Sequence, residues 1–335
     1  MKSLEQHWYE SSFVCWFLLP LSWLYCAVAV VRRRLYQLNI KKSYTARVPV
    51  IVIGNIVVGG SGKTPLLISL CEYLIDKGFK PGVVSRGYGG SVTGVRQVED
   101  SDPAKLVGDE PLLIHQRTHV PVVVGRDRVA AVDYLTTNNQ CDVVLSDDGL
   151  QHYRMKRSFE IVVIDAVRKF GNGFCLPAGP LRERVSRLKE VDMIVYNGRH
   201  NGMHNGVREK SDDECAYSLE IDRLVHLTSE KTVSLQSLQG KAIHAVAGIG
   251  NPSRFFKQLR DNGLTVIEHA FPDHHDYTQK DFADWDAACI AMTEKDAVKC
   301  RQLTLADAWV VCVTAKFSES LESQVSANLL PLLKR

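Results

Sequence analysis

The stretch Val48-Pro49-Val50-Ile51-Val52-Ile53-Gly54-Asn55-Ile56-Val57-Val58-Gly59-Gly60-Ser61-Gly62-Lys63-Thr64-Pro65 decides the fold. It opens with a continuous apolar, β-branched run, the pattern of a strand covered on both faces of a parallel sheet. A glycine-rich loop follows, and over 65–77 apolar residues return at helical spacing. Strand, loop and helix in that order make a phosphate-binding loop. The glycines let main-chain N–H groups curl around phosphate oxygens, and the helix N-terminus adds partial positive charge. By this motif Val57, Val58, Gly59, Gly60, Ser61, Gly62, Lys63 and Thr64 bind the nucleotide. Lys63 reaches the β- and γ-phosphates, and Thr64 offers a hydroxyl to Mg2+. One departure stands out: Val57 occupies the place of the motif's first glycine.

Outward from this stretch, short apolar runs at 81–85, 120–124, 142–145, 161–165 and 192–196 alternate with helical spacing, as at 126–138. Residues 46–200 therefore read as a doubly wound α/β domain built around the phosphate loop. Residues 201–238 are more polar, carry two Asn-Gly pairs and the charged run 209–214, and read as a linker or hinge. A smaller α/β unit is expected over 239–335. Its strands fall at 242–247, 264–269, 288–292 and 309–314, and a helix begins at Ser253 after Gly248-Ile249-Gly250-Asn251-Pro252.

Composition narrows the classes. The chain has 335 residues, is 45% hydrophobic and carries a net charge of only +3, which argues against a nucleic-acid partner. Its nine cysteines form no C-x-x-C pair and no zinc spacing, so they read as reduced core thiols.

Residues 1–45 differ from the rest. From Phe13 to Val31 the chain is apolar, with Trp16, Phe17 and Trp23, broken only by Pro20 and Ser22; Arg32, Arg33 and Arg34 follow at once. The charges come after the apolar run, which argues against a cleaved leader. A single span and a helix lying at the interface both fit the pattern. Triple arginine suits anionic headgroups, so contact with a membrane surface is expected.

The acids fill out the site. The run 142–145 delivers Ser146-Asp147-Asp148-Gly149, an apolar strand ending in carboxylates that hold Mg2+. Asp165, at the end of the next strand, is the lone rival. Asp109 and Glu110 open a helix between strands, where Asp109 fits a helix cap as well as the base that takes a hydroxyl proton. Phe271-Pro272-Asp273-His274-His275-Asp276 adds two imidazoles without zinc spacing. Val58 stands where partitioning ATPases carry a second lysine, and Thr293-Glu294-Lys295-Asp296 has the wrong spacing for a guanine reader. ATP is therefore the expected nucleotide.

The ordered strings GNIVVGGSGKTP, Ser85-Arg86-Gly87-Tyr88-Gly89, Gly108-Asp109-Glu110-Pro111, Ser146-Asp147-Asp148-Gly149-Leu150-Gln151-His152, the run 176–183 (LPAGPLRE), Asp273-His274-His275 and Thr293-Glu294-Lys295-Asp296 together resemble the tetraacyldisaccharide 4′-kinase family. The resemblance covers nearly the whole chain. It implies ATP- and Mg2+-dependent phosphorylation of a lipid A disaccharide 1-phosphate precursor, at the cytoplasmic face of the Gram-negative inner membrane, with no obligatory protein partner. It implies two α/β/α sandwiches joined by a small β hinge, with an N-terminal membrane-associated helix. By the same resemblance Asp109 accepts the proton, supported by His274 rather than His275. Asp147 and Asp148 hold Mg2+ with Glu110 nearby, and Arg86 and Arg182 contact substrate. A regulatory P-loop ATPase at the membrane, with no phosphoryl acceptor, is the competing class.

Overall fold

The computed structural model describes residues 4–10, 12–198, 203–204, 207–208, 215–285 and 288–334. The charged run 209–214 and both Asn-Gly pairs lie outside the described residues. A long helix α1 (Leu19–Gln37) precedes the first strand. The elements that follow are β1 (Val50–Gly54), α2 (Lys63–Asp76), β2 (Pro81–Ser85), β3 (Val95–Gln97), α3 (Asp109–Thr118), β4 (Val122–Gly125), α4 (Arg128–Asn138), β5 (Val143–Asp147), β6 (Phe159–Asp165) and β7 (Met193–Asn197). Strand β1 lies between β5 and β6, all parallel, and the order across this half is β3-β4-β2-β5-β1-β6-β7.

Both faces of β1 are covered, which is why its sequence does not alternate. Ile51 and Ile53 pack with Leu66, Leu67, Leu70 and Leu74 of α2. Val50 and Val52 face the other way, against Ala131, Val132 and Leu135 of α4. Each fully buried leucine contributes roughly 1.5–3 kcal/mol by the apolar area it removes from water. Helix α2 tolerates Pro65 because the first turn needs no donor there. It ends at Asp76 with Lys77 as its C-cap, and Gly78 follows with φ +86°. Asp127 starts α4 by accepting from the N–H groups of Val129 and Ala130.

The stretch expected as linker contains an eleven-residue strand, β8 (Ala216–His226). It pairs in parallel with the end of β7 and antiparallel with the last strand, so one sheet runs through both halves. Beyond it come β9 (Ala242–Ala247), α5 (Pro252–Asp261), β10 (Thr265–Ala270), β11 (Cys289–Thr293), α6 (Glu294–Cys300) and β12 (Ala308–Phe317). Leu321, Val325, Leu329 and Leu330, near the C-terminus, return to the core under α2. All nine cysteines are free and eight are buried.

Helix α1 is tied down on one side only. Ser22 Oγ donates to the Cys175 carbonyl at 2.8 Å, and Arg33 pairs with Glu190. Phe13, Trp16, Phe17, Leu21, Trp23, Leu24 and Val28 stay exposed. Among the described residues no helix is long and apolar enough to cross a membrane.

Candidate active site

The phosphate loop is fastened from behind. Val58 N–H donates to the Pro180 carbonyl at 2.8 Å and Arg182 N–H to the Ile56 carbonyl at 2.7 Å, with Val57 bridged antiparallel to Leu181. This pairing explains Val57. The first position of the loop is held extended against a neighbouring segment, so it has no need of a glycine's left-handed freedom. That freedom is used at Gly59 (φ +101°) and Gly62 (φ +87°) instead. Asn55, buried beneath, donates to the Gly59 carbonyl and the Ser61 hydroxyl. Lys63 and Thr64 then open α2.

Parallel register sets Asp147 beside Ile53, at the mouth of the loop. The Asp147 carboxyl is buried. One oxygen accepts from Ser85 Oγ at 3.0 Å, while Oδ1 has no hydrogen-bond partner. Burial, with the nearby charges of Glu110 and Asp148, pushes this carboxyl up to about 7 against the pull of Lys63 and Arg128. Asp148 is opposite in character. It adopts φ +46°, accepts from Arg182 Nη1 at 2.8 and 3.0 Å, and lies 3.7 Å from Lys63 Nζ. Burial opposes its ionisation, but Lys63 and Arg182 outweigh it and hold the carboxyl at about 2.

An orphaned, buried carboxylate oxygen beside a phosphate loop fits a hard divalent cation. Among the described residues no three His, Cys, Asp or Glu side chains converge closely enough to hold a metal by themselves. Thr64, Asp147, Asp148 and Glu110 therefore do not form a closed cage. Such a set would suit a cation like Mg2+, which takes only one or two protein oxygens.

The second half supplies the imidazole. His274, at φ +59°, places Nδ1 2.8 Å from Oδ2 of Asp109, the buried first residue of α3. Gly108 is the N-cap of α3 and no side chain caps it; Asp109, the first helical residue, accepts from Glu110 N–H through Oδ1 at 2.9 Å and meets the histidine through Oδ2. Lys295 Nζ lies 3.0 Å from Glu110, 3.0 Å from Asp273 and 3.4 Å from His274 Nε2. Because lysine only donates, Nε2 accepts in the neutral ring and Nδ1 carries the proton toward Asp109. The Asp109 hydrogen bond raises the His274 pKa, ahead of the opposing effects of burial and Lys295. Burial would raise Asp109, but His274 and the charges of Lys295 and Lys299 bring it below the usual range. His275 turns elsewhere, 3.5 Å from Asp281 and packed on Phe271 and Tyr277.

The remaining expected residues divide. Arg182 joins the cluster through Asp148, whereas Arg86 is exposed and its charge reaches Arg128. Asp165 accepts from the N–H groups of Val167 and Arg168 and so caps a turn. Residues missed in the sequence include Ser85, Arg128 and Lys295. Arg128, whose pKa burial lowers to about 10, stays charged at neutral pH and donates to the Asp147 carbonyl at 2.8 Å. The string at 293–296 does four separate jobs. Thr293 caps α6, Glu294 pairs with Arg117 of α3, Lys295 enters the site, and Asp296 accepts from Gly248 N–H.

A phosphate loop on a parallel sheet, with an acidic strand end and a carboxylate–imidazole pair from opposite halves, defines a P-loop phosphotransferase. The model of the tetraacyldisaccharide-1-P 4′-kinase family matches residues 14–330, and the chain belongs to that family. It is 43% identical to a tetraacyldisaccharide 4′-kinase of Methylobacillus flagellatus, over 99% of this chain and 97% of that one. It is 44% identical to the enzyme of Hahella chejuensis over 97% and 96%. A crystal structure of LpxK from Aquifex aeolicus in complex with ATP superposes with a TM-score of 0.80 at 26% identity, covering 96% of this chain and all of that one. The chain is thus an ATP-dependent kinase of lipid A biosynthesis.

Proposed function

We propose that the chain moves the γ-phosphate of ATP onto the 4′-hydroxyl of an acylated glucosamine disaccharide 1-phosphate at the cytoplasmic face of the inner membrane. The observation that carries this reading is the 2.8 Å pair of Asp109 and His274, beside Glu110, which bonds Lys295 and whose charge is felt at Asp147. An ATPase that uses water has less need of a base held by both halves. In the proposed step Asp109 takes the hydroxyl proton as the new P–O bond forms and the bond to the ADP oxygen breaks, while His274 orients the carboxylate. Lys63 neutralises phosphate charge. Asp147, through its free oxygen, and Thr64 would hold Mg2+, with Asp148 and Glu110 close by, and the ion would supply further neutralisation at the phosphates.

The acceptor's acyl chains remain in the bilayer, and the apolar face of α1 with Arg32 and Arg34 suits a seat on the same surface. A cavity of about 350 Å3 between α1 and the 175–190 segment is lined by Arg33, Arg34, Arg182 and Arg184. We assign it, with Arg86, to the anionic sugar-phosphate end of the acceptor. The test is transfer of labelled γ-phosphate into organic-extractable lipid. Label released solely as inorganic phosphate would overturn the reading in favour of a regulatory ATPase.

A further inference from the structure

Three strand ends lie side by side at the phosphate loop. Register pairs Asp165 of β6 with Asn197 of β7, and Asn197 with Tyr217 of β8. Asn197 and Tyr217 are both buried, and both point donors at the loop's main chain. Asn197 Nδ2 donates to the Ser61 carbonyl at 3.0 Å, and the Tyr217 hydroxyl to the Gly62 carbonyl at 2.7 Å.

A trans peptide unit points its C=O and N–H in opposite directions. Pinning the Ser61 carbonyl from behind therefore turns the Gly62 N–H to the open side of the loop. Pinning the Gly62 carbonyl does the same for the Lys63 N–H. These amides sit where α2 begins, among the donors that a helix N-terminus offers an anion. Gly62 carries a double requirement: its φ is +87°, and a Cβ there would collide with both the Asn197 amide and the Tyr217 hydroxyl.

Asn197 is in turn held from the second half. Its Oδ1 accepts from Arg254 Nη2 at 2.8 Å, and Arg254 Nη1 lies 3.8 Å from Asp165. Arg254 stands in the first turn of α5, directly after the loop in which Gly250 packs on Gly60. With Oδ1 committed to Arg254, the amide nitrogen must face Ser61.

We infer that Tyr217 and Asn197 are positioning residues that aim the phosphate loop's amides at the nucleotide, and that Arg254 makes this aim depend on how the second half is seated. The inference rests on nucleotide binding at the loop and is independent of the acceptor. Burial raises the Tyr217 pKa, so the hydroxyl remains a donor across the working pH range.

The test is calorimetric titration of the full chain with ADP and with ATP, alongside steady-state kinetics. Tyr217→Phe keeps the ring in the core and removes only the donor, and it should weaken nucleotide binding about ten-fold. Arg254→Gln and Asn197→Ser should weaken it similarly, while the combined Asn197→Ser, Arg254→Gln protein should be little worse than either alone. The KM for ATP should rise with the KM for the lipid unchanged. A purely structural role would lower the melting temperature and leave the nucleotide Kd of folded protein where it was. Wild-type affinity in folded Tyr217→Phe overturns the inference, even where Asn197→Ser does not fold. Wild-type protein that binds no adenine nucleotide would overturn the kinase reading and this inference together.

Discussion

His274 Nδ1 lies 2.8 Å from Oδ2 of Asp109 although 165 residues separate the two, and they arrive from different halves of the chain. Lys295 stands on the far side of the imidazole and fixes which nitrogen faces the carboxylate. The site is complete only while both halves meet. Asp109→Ala should abolish transfer while leaving ATP binding intact. His274→Ala, which leaves the carboxylate but not its orientation, should lower kcat on the order of a hundredfold. Near-normal turnover in either variant would remove the base assignment.

The same pair makes stability depend on pH in a bounded window. The folded pKa of His274 is raised, chiefly by the Asp109 hydrogen bond. Its contribution is fully present below the unfolded value of about 6.5 and is lost as pH rises through the folded value. Asp109 is lowered, so its contribution is present above about 3.9 and is lost as pH falls through its folded value. The melting-temperature gap between wild type and His274→Gln should therefore peak between about pH 4 and 6.5 and narrow toward alkaline pH. A gap that widens at alkaline pH would contradict the pairing.

Much of this was legible in the sequence because it is local. The run 81–85 and the run 242–247 are strands at those bounds. Each is a short buried stretch whose pattern is decided within itself. Strand β8 was not legible. Tyr217, Leu219 and Ile221 do alternate with the more exposed Ser218, Glu220 and Asp222, but the run sits within a polar stretch, and its partners are a strand before it and another some 90 residues beyond. Asp109 and Lys63 stood out as motif residues. Tyr217, Asn197 and Arg254 did not, since a buried tyrosine and a strand-end asparagine look like ordinary packing until the carbonyls they hold are known.

Asp147 and Asp148 should separate experimentally. Asp147, raised to about 7 mainly by burial, keeps its proton in the fold over a range where the unfolded chain has lost it. Stability of the metal-free protein should accordingly fall as pH rises from about 4 to 7. Asp147→Asn should relieve that loss, giving a metal-free protein that melts higher at pH 8. If Asp147 holds the cation as proposed, the same variant should lose activity on the order of a hundredfold or more. Mg2+ titrations in buffers of different ionisation enthalpy should register proton release near pH 7. Equal heats in all buffers would exclude Asp147 as the ligand.

Lys295 offers a test of the join between halves. It is half-buried, yet Glu110, Asp109 and Asp273 outweigh the desolvation and hold its pKa above the ordinary lysine range. Lys295→Met leaves Glu110 and Asp273 without their shared cation and frees His274 Nε2. Turnover should drop about tenfold or more, since losing the shared ammonium leaves two neighbouring carboxylates to repel one another beside the site. Unaltered kcat and thermal stability in Lys295→Met would show that the contact is incidental.

The exposed face of α1, together with the short helix Phe13–Phe17 that precedes it, makes the last prediction. Phe13 and Phe17 are each more than four-fifths exposed, and Trp16 and Trp23 project beside them. Isolated exposed apolar residues are normal, but a contiguous row rimmed by arginine implies a covering surface. Burying one such side chain is worth roughly 1.5–3 kcal/mol, so each is worth at least about tenfold in partitioning. Phe13→Ser, Phe17→Ser and Trp23→Ser combined should cut binding to anionic vesicles by about three orders of magnitude. None of the three carries a core contact, so nucleotide affinity should not change. Arg32→Gln with Arg34→Gln should instead give a smaller loss that disappears at high salt, because those charges act through a screened field. Flotation of the variants with vesicles, at low and high ionic strength, separates the two contributions. Flotation of the triple serine variant equal to wild type would mean that this row of side chains is not the membrane contact.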